Sequence, residues 1–329
     1  MSSDDAQFGR RAFISMVAGS IIVPRAGETE TDKVWRVALM HVGLDHVPPS
    51  WEPLREELRA LGYEDGRNIR LDFRNVADQA AANATARKFV RDHVDLVVAF
   101  EEQAMRAIMA ATSVLPVVFL HLVDPVADGF VKSLARPGGN ATGFITWAVL
   151  PSKQIELFSE FLPRPHRLMV LVDPKDAPTR RQLAELRGAG GTLGIQMVEH
   201  EVTTQRDVER ALDATDRSKV DGVFVLSRTL GTNFPSLILR LSTAKRLPLL
   251  GSRKEWVEQG ALFSYAPDLA AIGRQAAPYV AKILSGTSPG DLPVQEPTKF
   301  ELVINRRIAK ALGLTIPQPL MLQADQVID

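Results

Sequence analysis

The stretch Trp35-Arg-Val-Ala-Leu-Met40 is the first of four short apolar runs in the first half of the chain. The other three are Ile69–Phe73, Asp95–Phe100 and Pro116–Leu120. A longer polar stretch with helical spacing separates each run from the next. Short buried strands that alternate with helices are typical of parallel sheets covered by helices. The sequence therefore predicts an α/β lobe in this half.

The second half of the chain repeats this pattern at similar spacing. Its apolar runs are Arg167–Val172, Gln196–His200, Gly222–Leu226 and Pro248–Leu250. The fold class is thus predicted as α/β with two similar lobes, each a parallel sheet flanked by helices. Two such lobes enclose a cleft at the carboxyl ends of their strands, where open α/β folds hold ligands.

Composition narrows the possible functions. The chain has 329 residues, 45% of them hydrophobic, which is enough for two ordinary cores. Lys plus Arg equals Asp plus Glu at 39 each, so no overall charge attracts nucleic acid or an anionic membrane. With no cysteine, the chain has no disulfide, no thiol nucleophile and no thiol for lipid attachment, so it is not expected to be a lipoprotein.

Residues 1–32 are predicted to be an export signal or a disordered leader. Arg10-Arg11 precedes Phe13-Ile14 and a weak apolar run that ends at Val23, too short to span a bilayer as a mature helix. This order is similar to a twin-arginine export signal, and we therefore expect export to the periplasm. A fortuitous arginine pair in a disordered tail is the alternative, and the cleavage site is not defined by the sequence.

Capping residues predict where helices begin in the first lobe. Ser50 is placed to cap a helix that starts at Trp51, and Asp124-Pro125 is placed to open another. The remaining predicted elements are helices over about 77–91 and 102–112 and a fifth strand, Ala141–Ile145.

Four segments carry a resemblance to a known family. They are Asp124–Gly143, which contains Arg136-Pro-Gly-Gly-Asn140, and the tail segments Leu292–Asn305, Ala309–Pro317 and Ala324–Asp329. Together they resemble the periplasmic solute-binding proteins of ABC importers. The resemblance covers nearly the whole chain and extends to the leader.

The resemblance implies a type I periplasmic-binding-protein fold, in which crossover strands join two lobes that close on a solute by hinge motion. It places lobe 1 at 33–146 plus 265–290 and lobe 2 at 147–264 plus 291–329. It also implies an ABC permease in the inner membrane as partner, a monomeric protein, and no cofactor. Family members with assigned ligands resemble carriers of aromatic amino acids or similar small organic solutes.

Three cleft loops depart from the family pattern. The loop after the third strand, usually small and neutral, is Phe100-Glu101-Glu102 here, and the usual Asp-Pro pair of the second lobe is replaced by Ser227-Arg228. A third loop reads Gly251-Ser252-Arg253 where an aromatic residue is common first. Because charge is redistributed at these loops, the family's usual ligand cannot be assumed.

The predicted ligand-binding residues lie at strand ends and in the loops that follow them. They are His46, Phe100, Glu101, Glu102, His121, Asp124, Trp147, Asp173, Ser227, Arg228, Ser252 and Arg253. Glu101 or Asp124 is expected to hold a cationic group, and Arg228 or Arg253 a carboxylate. Asp124 has helix capping as an alternative role. Of Glu101 and Glu102, one is expected to contact the ligand and the other to interact favourably with the helix dipole.

No recognisable catalytic motif accompanies this cleft, and the chain is not expected to be an enzyme. A P-loop and a Gly-x-Ser-x-Gly elbow are both absent from the sequence. Gly188–Gly194 is glycine-rich but follows a helix and precedes a strand, so we interpret it as a helix end and turn. His41, His46 and His121 lack the paired spacing of metal ligands.

Three functions are compatible with these patterns. The first is an exported receptor that delivers a zwitterionic or amine-bearing organic acid to a permease. The second is a ligand-sensing module of a periplasmic signalling system, and the third is a cleft enzyme acting on a small acid. Turnover assays distinguish the enzyme from the receptor, and neighbouring permease genes distinguish transport from sensing.

Replacement of both Arg10 and Arg11 by Lys tests the export signal. We expect the doubly substituted protein to remain full-length in the cytoplasm, because the twin-arginine route depends on the arginine pair. Cell fractionation and the mass of the recovered chain measure the outcome. Processed protein in the periplasm would show that the pair is fortuitous.

Overall fold

A computed structural model describes residues 33–43, 47–146, 151–162, 166–176 and 179–329. Among these residues, no helix is both long enough and apolar enough to cross a membrane. All of them except Lys33 belong to one compact unit, Val34–Asp329.

The first sheet is fully parallel and has the strand order β2-β1-β3-β4-β5. Its strands are β1 (Trp35–Val42), β2 (Ile69–Val76), β3 (Leu96–Phe100), β4 (Val117–Leu122) and β5 (Ala141–Ile145). All five match predicted runs, because each run is apolar and bounded by turn or helix signals. Three of them extend two or three residues further than predicted, into polar residues at their carboxyl ends.

The second sheet repeats this topology and then adds two strands, in the order β12-β11-β10-β9-β8-β6-β7. Its strands are β6 (Arg167–Val172), β7 (Gln196–Glu201), β8 (Gly222–Val225), β9 (Leu249–Gly251), β10 (Phe263–Pro267), β11 (Phe300–Asn305) and β12 (Gln326–Ile328). Only the β10–β11 pair is antiparallel. The predicted α/β class with two similar lobes is confirmed.

Twelve helices are formed by the described residues and cover the faces of the two sheets. They are α1 (Trp51–Ala60), α2 (Gln79–Arg91), α3 (Glu102–Ala111), α4 (Pro151–Phe161), α5 (Thr179–Leu193), α6 (Gln205–Asp213), α7 (Arg228–Asn233), α8 (Pro235–Ala244), α9 (Lys254–Glu258), α10 (Leu269–Leu284), α11 (Arg306–Leu312) and α12 (Gln318–Gln323).

Helix α10 follows a strand of the second sheet but packs on the first. Its apolar face, with Ile272, Ala276 and Val280, lies in one core with Leu54 and Leu58 of α1. Conversely, α4 follows β5 of the first sheet and packs in a core of the second. The chain therefore crosses between the sheets to complete each of them.

The segment that leads from α10 back to β11 also packs on the first sheet. Leu292 and Val294 are buried in its two cores, and Thr142 donates a 2.6 Å hydrogen bond to the carbonyl of Leu292. These contacts lie two and four residues beyond the expected lobe boundary at 290. The division into lobes at the numbered boundaries stays a prediction.

Two capping predictions are wrong in detail. Asp124-Pro125 opens a single turn rather than a helix; Asp124 accepts a 3.0 Å hydrogen bond from the Ala127 N–H, and Gly129, with φ of 75°, follows at the end of the turn. Ser50 occupies the position before α1, but its side chain makes no capping hydrogen bond. Its hydroxyl contacts His121 instead.

The glycine-rich segment is also placed differently from the prediction. Gly188 and Gly190 lie inside α5, and only Gly194, with φ of 71°, lies beyond its end. A Cβ at Gly190 would lie 2.8 Å from the carbonyl oxygen of Ile195, so this glycine allows the chain to turn closely from α5 into β7.

Gly273 sets the distance between α10 and α1. A Cβ at this position would lie 2.1 Å from the carbonyl oxygen of Ser50. We expect Gly273→Ala to lower the free energy of unfolding by about 2 kcal/mol or more, as in overpacked cores. Urea unfolding measures the change.

Gly188→Ala is the matched control, because Gly188 is helical and exposed and a Cβ there meets nothing within 4 Å. This variant should gain about 0.5–1 kcal/mol from helix propensity. Equal effects of the two substitutions would contradict the close approach of α1 and α10.

Candidate ligand-binding cleft

The strand order reverses at corresponding places in the two sheets. In the first sheet β2 lies on one side of the β1–β3 pair, and β4 and β5 lie on the other. In the second sheet β7 lies on one side of the β6–β8 pair, and the later strands lie on the other. Open α/β sheets bind ligands beyond the carboxyl ends of the strands at such a point. Glu101 directly follows β3, and Asp173 directly follows β6. Ser227 lies two residues after the end of β8. The topology therefore brings the predicted loops to the carboxyl edges of the two sheets, beside the two switch points.

Glu101 has a strained backbone at this edge. Its φ of 75° and ψ of 172° fall in a region that almost only glycine occupies. The neighbouring strand holds it there, since the Glu101 N–H donates a 2.8 Å hydrogen bond to the carbonyl of Leu120. A non-glycine residue in such a conformation costs of order 1–3 kcal/mol and is characteristic of functional sites.

His121 is the second residue with positive φ at the same edge. Its φ is 66°, and it lies at an irregularity of the β4–β5 pairing between Leu120 and Leu122. Its ring Nε2 lies 2.7 Å from Ser50 Oγ, and its buried Nδ1 has no hydrogen-bond partner among the described residues. The bulge therefore turns the imidazole towards α1 at the edge of the sheet.

The imidazole of His121 is held in its neutral form. Burial lowers the pKa of His121 to about 3, and the positive charges of His41 and Arg253 act in the same direction. Arg253 belongs to the second lobe, just after β9, whereas both histidines belong to the first. The positive charge of Arg253 therefore lowers the pKa of His121 from the other lobe.

Aromatic rings line the first lobe beside His121. Phe100 packs against the imidazole with ring centroids 6.3 Å apart, and Phe73 meets Phe100 edge-on at 6.1 Å. Trp51 stacks on Phe73 at 5.6 Å. Phe100 is fully buried, so it supports the edge of the cleft from below.

The second lobe presents a buried polar cluster. Ser227 Oγ accepts a 2.7 Å hydrogen bond from the Asp173 N–H and lies 2.6 Å from Thr179 Oγ1 at the start of α5. Asp173 Oδ2 accepts a 2.8 Å hydrogen bond from Thr229 Oγ1. These bonds join the ends of β6 and β8 to two helices, which fixes the Asp173 carboxylate with respect to the sheet.

Some predicted residues lie apart from this arrangement. Glu102 forms an ion pair with Arg106 on α3, and Arg106 also reaches Asp128 at 3.0 Å. Asp124 caps its turn, as the alternative reading of the sequence had it. Ser252 is exposed, whereas Arg253 is half-buried. Arg228 opens α7, and His46 and Trp147 lie outside the described residues.

The sequence alone did not place Ser50, Thr179 or Phe73 at the site. Ser50 and Thr179 stand at helix starts, where a hydroxyl is normally interpreted as a cap. The alternation of side chains along β2 places Phe73 on the covered face of that strand. Its contact with Phe100 depends on the strand order, which the local sequence does not give. No cluster of three or more His, Asp or Glu residues able to hold a metal occurs among the described residues.

Comparison with known proteins identifies the family. A model described as ABC transporter substrate binding protein matches residues 38–328. The chain therefore belongs to this family, which confirms the resemblance noted in its sequence.

Three relatives illustrate the similarity. The chain is 29% identical over 258 residues to a tyrosine-binding protein of Clostridioides difficile, covering 78% of this chain and 74% of that one. It is 30% identical to a conserved domain protein of Vibrio cholerae, with a TM-score of 0.78 over 90% of this chain and all of that one. An ABC domain from Streptococcus pneumonia in complex with L-Trp is 26% identical, with a TM-score of 0.79 and the same coverage.

The neutral imidazole of His121 predicts a specific pH dependence. The folded pKa of about 3 lies below the ordinary 6.5, so the unfolded chain binds more protons between these values. Stability should therefore fall as the pH decreases from 6.5 towards 3. His121→Asn, which tolerates the left-handed backbone, should reduce this loss in urea unfolding of the ligand-free protein.

His166→Asn is the control, because His166 is exposed on the second lobe. The unfolding free energy of this variant should follow the wild-type pH curve. If His121→Asn also follows it, His121 is not buried in its neutral form.

Proposed function

We propose that this chain is the exported solute-binding component of an ABC importer, and that it delivers an amine-bearing organic acid to a permease in the inner membrane. Membership of the substrate-binding family supports the transport function. The arginine pair of the leader supports export by the twin-arginine route to the periplasm. Tyrosine and L-Trp, named for two relatives, are both amine-bearing acids.

The observation that carries the proposal is the strained conformation of Glu101. A glycine would occupy this backbone without strain, and the family pattern is small and neutral here. Placing a carboxylate there costs stability, which is expected where the side chain serves the ligand. The carboxylate lies next to the β1–β3 switch point and favours a cationic group.

Charged groups of the second lobe define the rest of the ligand. Asp173 adds a carboxylate to the second lobe, and Arg253 adds a guanidinium whose field reaches His121. A solute that carries both an ammonium and a carboxylate group satisfies this pattern better than a neutral sugar. In a closed cleft each charge-assisted hydrogen bond contributes about 1.5–3 kcal/mol.

The mass of the small molecule that co-purifies with the protein tests the function most directly. We expect an amine-bearing organic acid that the protein binds reversibly and does not convert. Turnover of that compound would indicate an enzyme instead. A genome without permease genes near this one would favour a sensor.

Glu101→Gln tests the role of the strained carboxylate. We expect this variant to bind amine-containing solutes at least about tenfold more weakly, equivalent to roughly 1.4 kcal/mol, because the charge that meets the ammonium is lost. Calorimetry with a panel of amino acids, including L-tyrosine and L-tryptophan, measures the affinities. Glu102→Gln is the control, and its affinities should stay close to those of the wild type.

Glu101→Gly separates strain from binding. This variant should unfold at higher urea concentration than the wild type, since glycine adopts the observed φ without cost. It should also lose affinity as Glu101→Gln does. Unchanged affinities in both variants would place Glu101 outside the ligand site.

A further inference from the structure

A cavity of about 240 Å³ lies beside the point where β10 leaves the second sheet for α10. Ser264 and Glu301 line it from β10 and β11, and Glu255 lines it from α9. Pro49 of the first lobe and Arg253 of the second reach it as well. The cavity therefore opens between the lobes, next to the residue whose charge acts on His121.

Two polar side chains of this cavity have buried atoms without partners. Ser264 is 1% exposed, and its hydroxyl makes no hydrogen bond within the described part of the chain. One carboxylate oxygen of Glu255 is likewise buried without a hydrogen bond there. An unsatisfied buried polar group costs about 1–3 kcal/mol, so both groups indicate a hydrogen-bond partner that is not part of the protein.

The position of Ser264 makes its hydroxyl unusual. Ser264 pairs with Gly251 and Val303 in the middle of the sheet, on the face where Trp256 and Val257 of α9 are buried. An apolar residue would suit such a face, since parallel strands buried on both sides are typically Val- or Ile-rich. The serine is therefore not explained by packing.

The carboxylates of the cavity differ in how they are compensated. Asp268 accepts hydrogen bonds from Lys299 at 2.8 Å and from the Ala271 N–H, and Arg274 lies 3.8 Å away. Burial opposes its charge, yet these partners hold the pKa of Asp268 below its usual value. Its charge is therefore already used within the protein.

Glu301 is a carboxylate of the cavity whose charge remains available. Burial and the charge of Asp268 raise its pKa, and Lys254 offsets only part of this effect. No ion pair joins Glu301 to another described residue. A cationic group in the cavity would stabilise both Glu301 and the buried oxygen of Glu255.

We propose that this cavity is a second cation subsite of the cleft, which receives a side-chain ammonium group of the solute. The inference rests on the proposed function and narrows the solute to a basic amino acid: one ammonium near Glu101, a carboxylate near Arg253, and a second ammonium in the cavity. An ammonium has three donors, and Ser264, Glu255 and Glu301 offer three acceptors.

Calorimetry with L-lysine, L-ornithine and L-norleucine tests the subsite, because norleucine has a side chain of similar length to lysine without the amine. We expect the wild type to bind L-lysine or L-ornithine at least about tenfold more tightly than norleucine, and Glu301→Gln to remove this preference. Glu160→Gln, at an exposed position of α4 outside the cavity lining, should retain it.

Ser264→Ala gives a readout that a purely structural role would not. Removing the unpartnered hydroxyl should raise the unfolding free energy of the ligand-free protein and weaken L-lysine binding. Weaker binding with higher stability identifies the hydroxyl as a ligand contact. Higher stability with unchanged lysine affinity overturns the subsite.

The outcomes separate this inference from the proposed function. A wild type that binds L-norleucine or L-tyrosine as tightly as L-lysine remains a receptor for amine-bearing acids but has no second cation subsite. Unchanged lysine affinity in Glu301→Gln leads to the same conclusion. A protein that binds none of these amino acids contradicts both the subsite and the proposed solute class.

Discussion

Each sheet of this protein is completed by a helix that the chain reaches only after leaving the other sheet. A parallel sheet needs cover on both faces, because its strands are apolar on both sides. Helix α4 leaves β5 to cover the second sheet, and α10 leaves β10 to cover the first. Neither lobe can therefore bury its core without a helix that follows the other.

The close packing of α10 on α1 connects this constraint to the site. Gly273 lets α10 approach the backbone of Ser50, and the Ser50 hydroxyl in turn contacts His121. The carboxyl edge of the first sheet is thus positioned by a helix that follows the second. The packing of α10 therefore also positions the edge of the first sheet that carries Glu101.

Glu101, His121 and Ser264 each lower the stability of the folded protein in a way that their packing does not offset. The first two hold positive φ values in non-glycine residues, and the third has a buried hydroxyl without a partner in the described structure. His121 and Ser264 lie in strands, and Glu101 directly follows one. Destabilising residues of this kind cluster at functional sites, where side chains serve a ligand rather than the stability of the protein.

The sequence by itself determined the two α/β lobes, nine of their twelve strands and the family, because apolar runs, helical spacing and long motifs are local patterns. It also placed Glu101, Asp173, Ser227 and Arg253 at strand ends. Only the tertiary structure decided that Ser50 turns from its helix to His121, that Glu101 has a backbone suited to glycine, and that Ser264 lines a cavity with Glu301. These features depend on strand order and on contacts between residues far apart in the chain. Local sequence patterns contain no information on either.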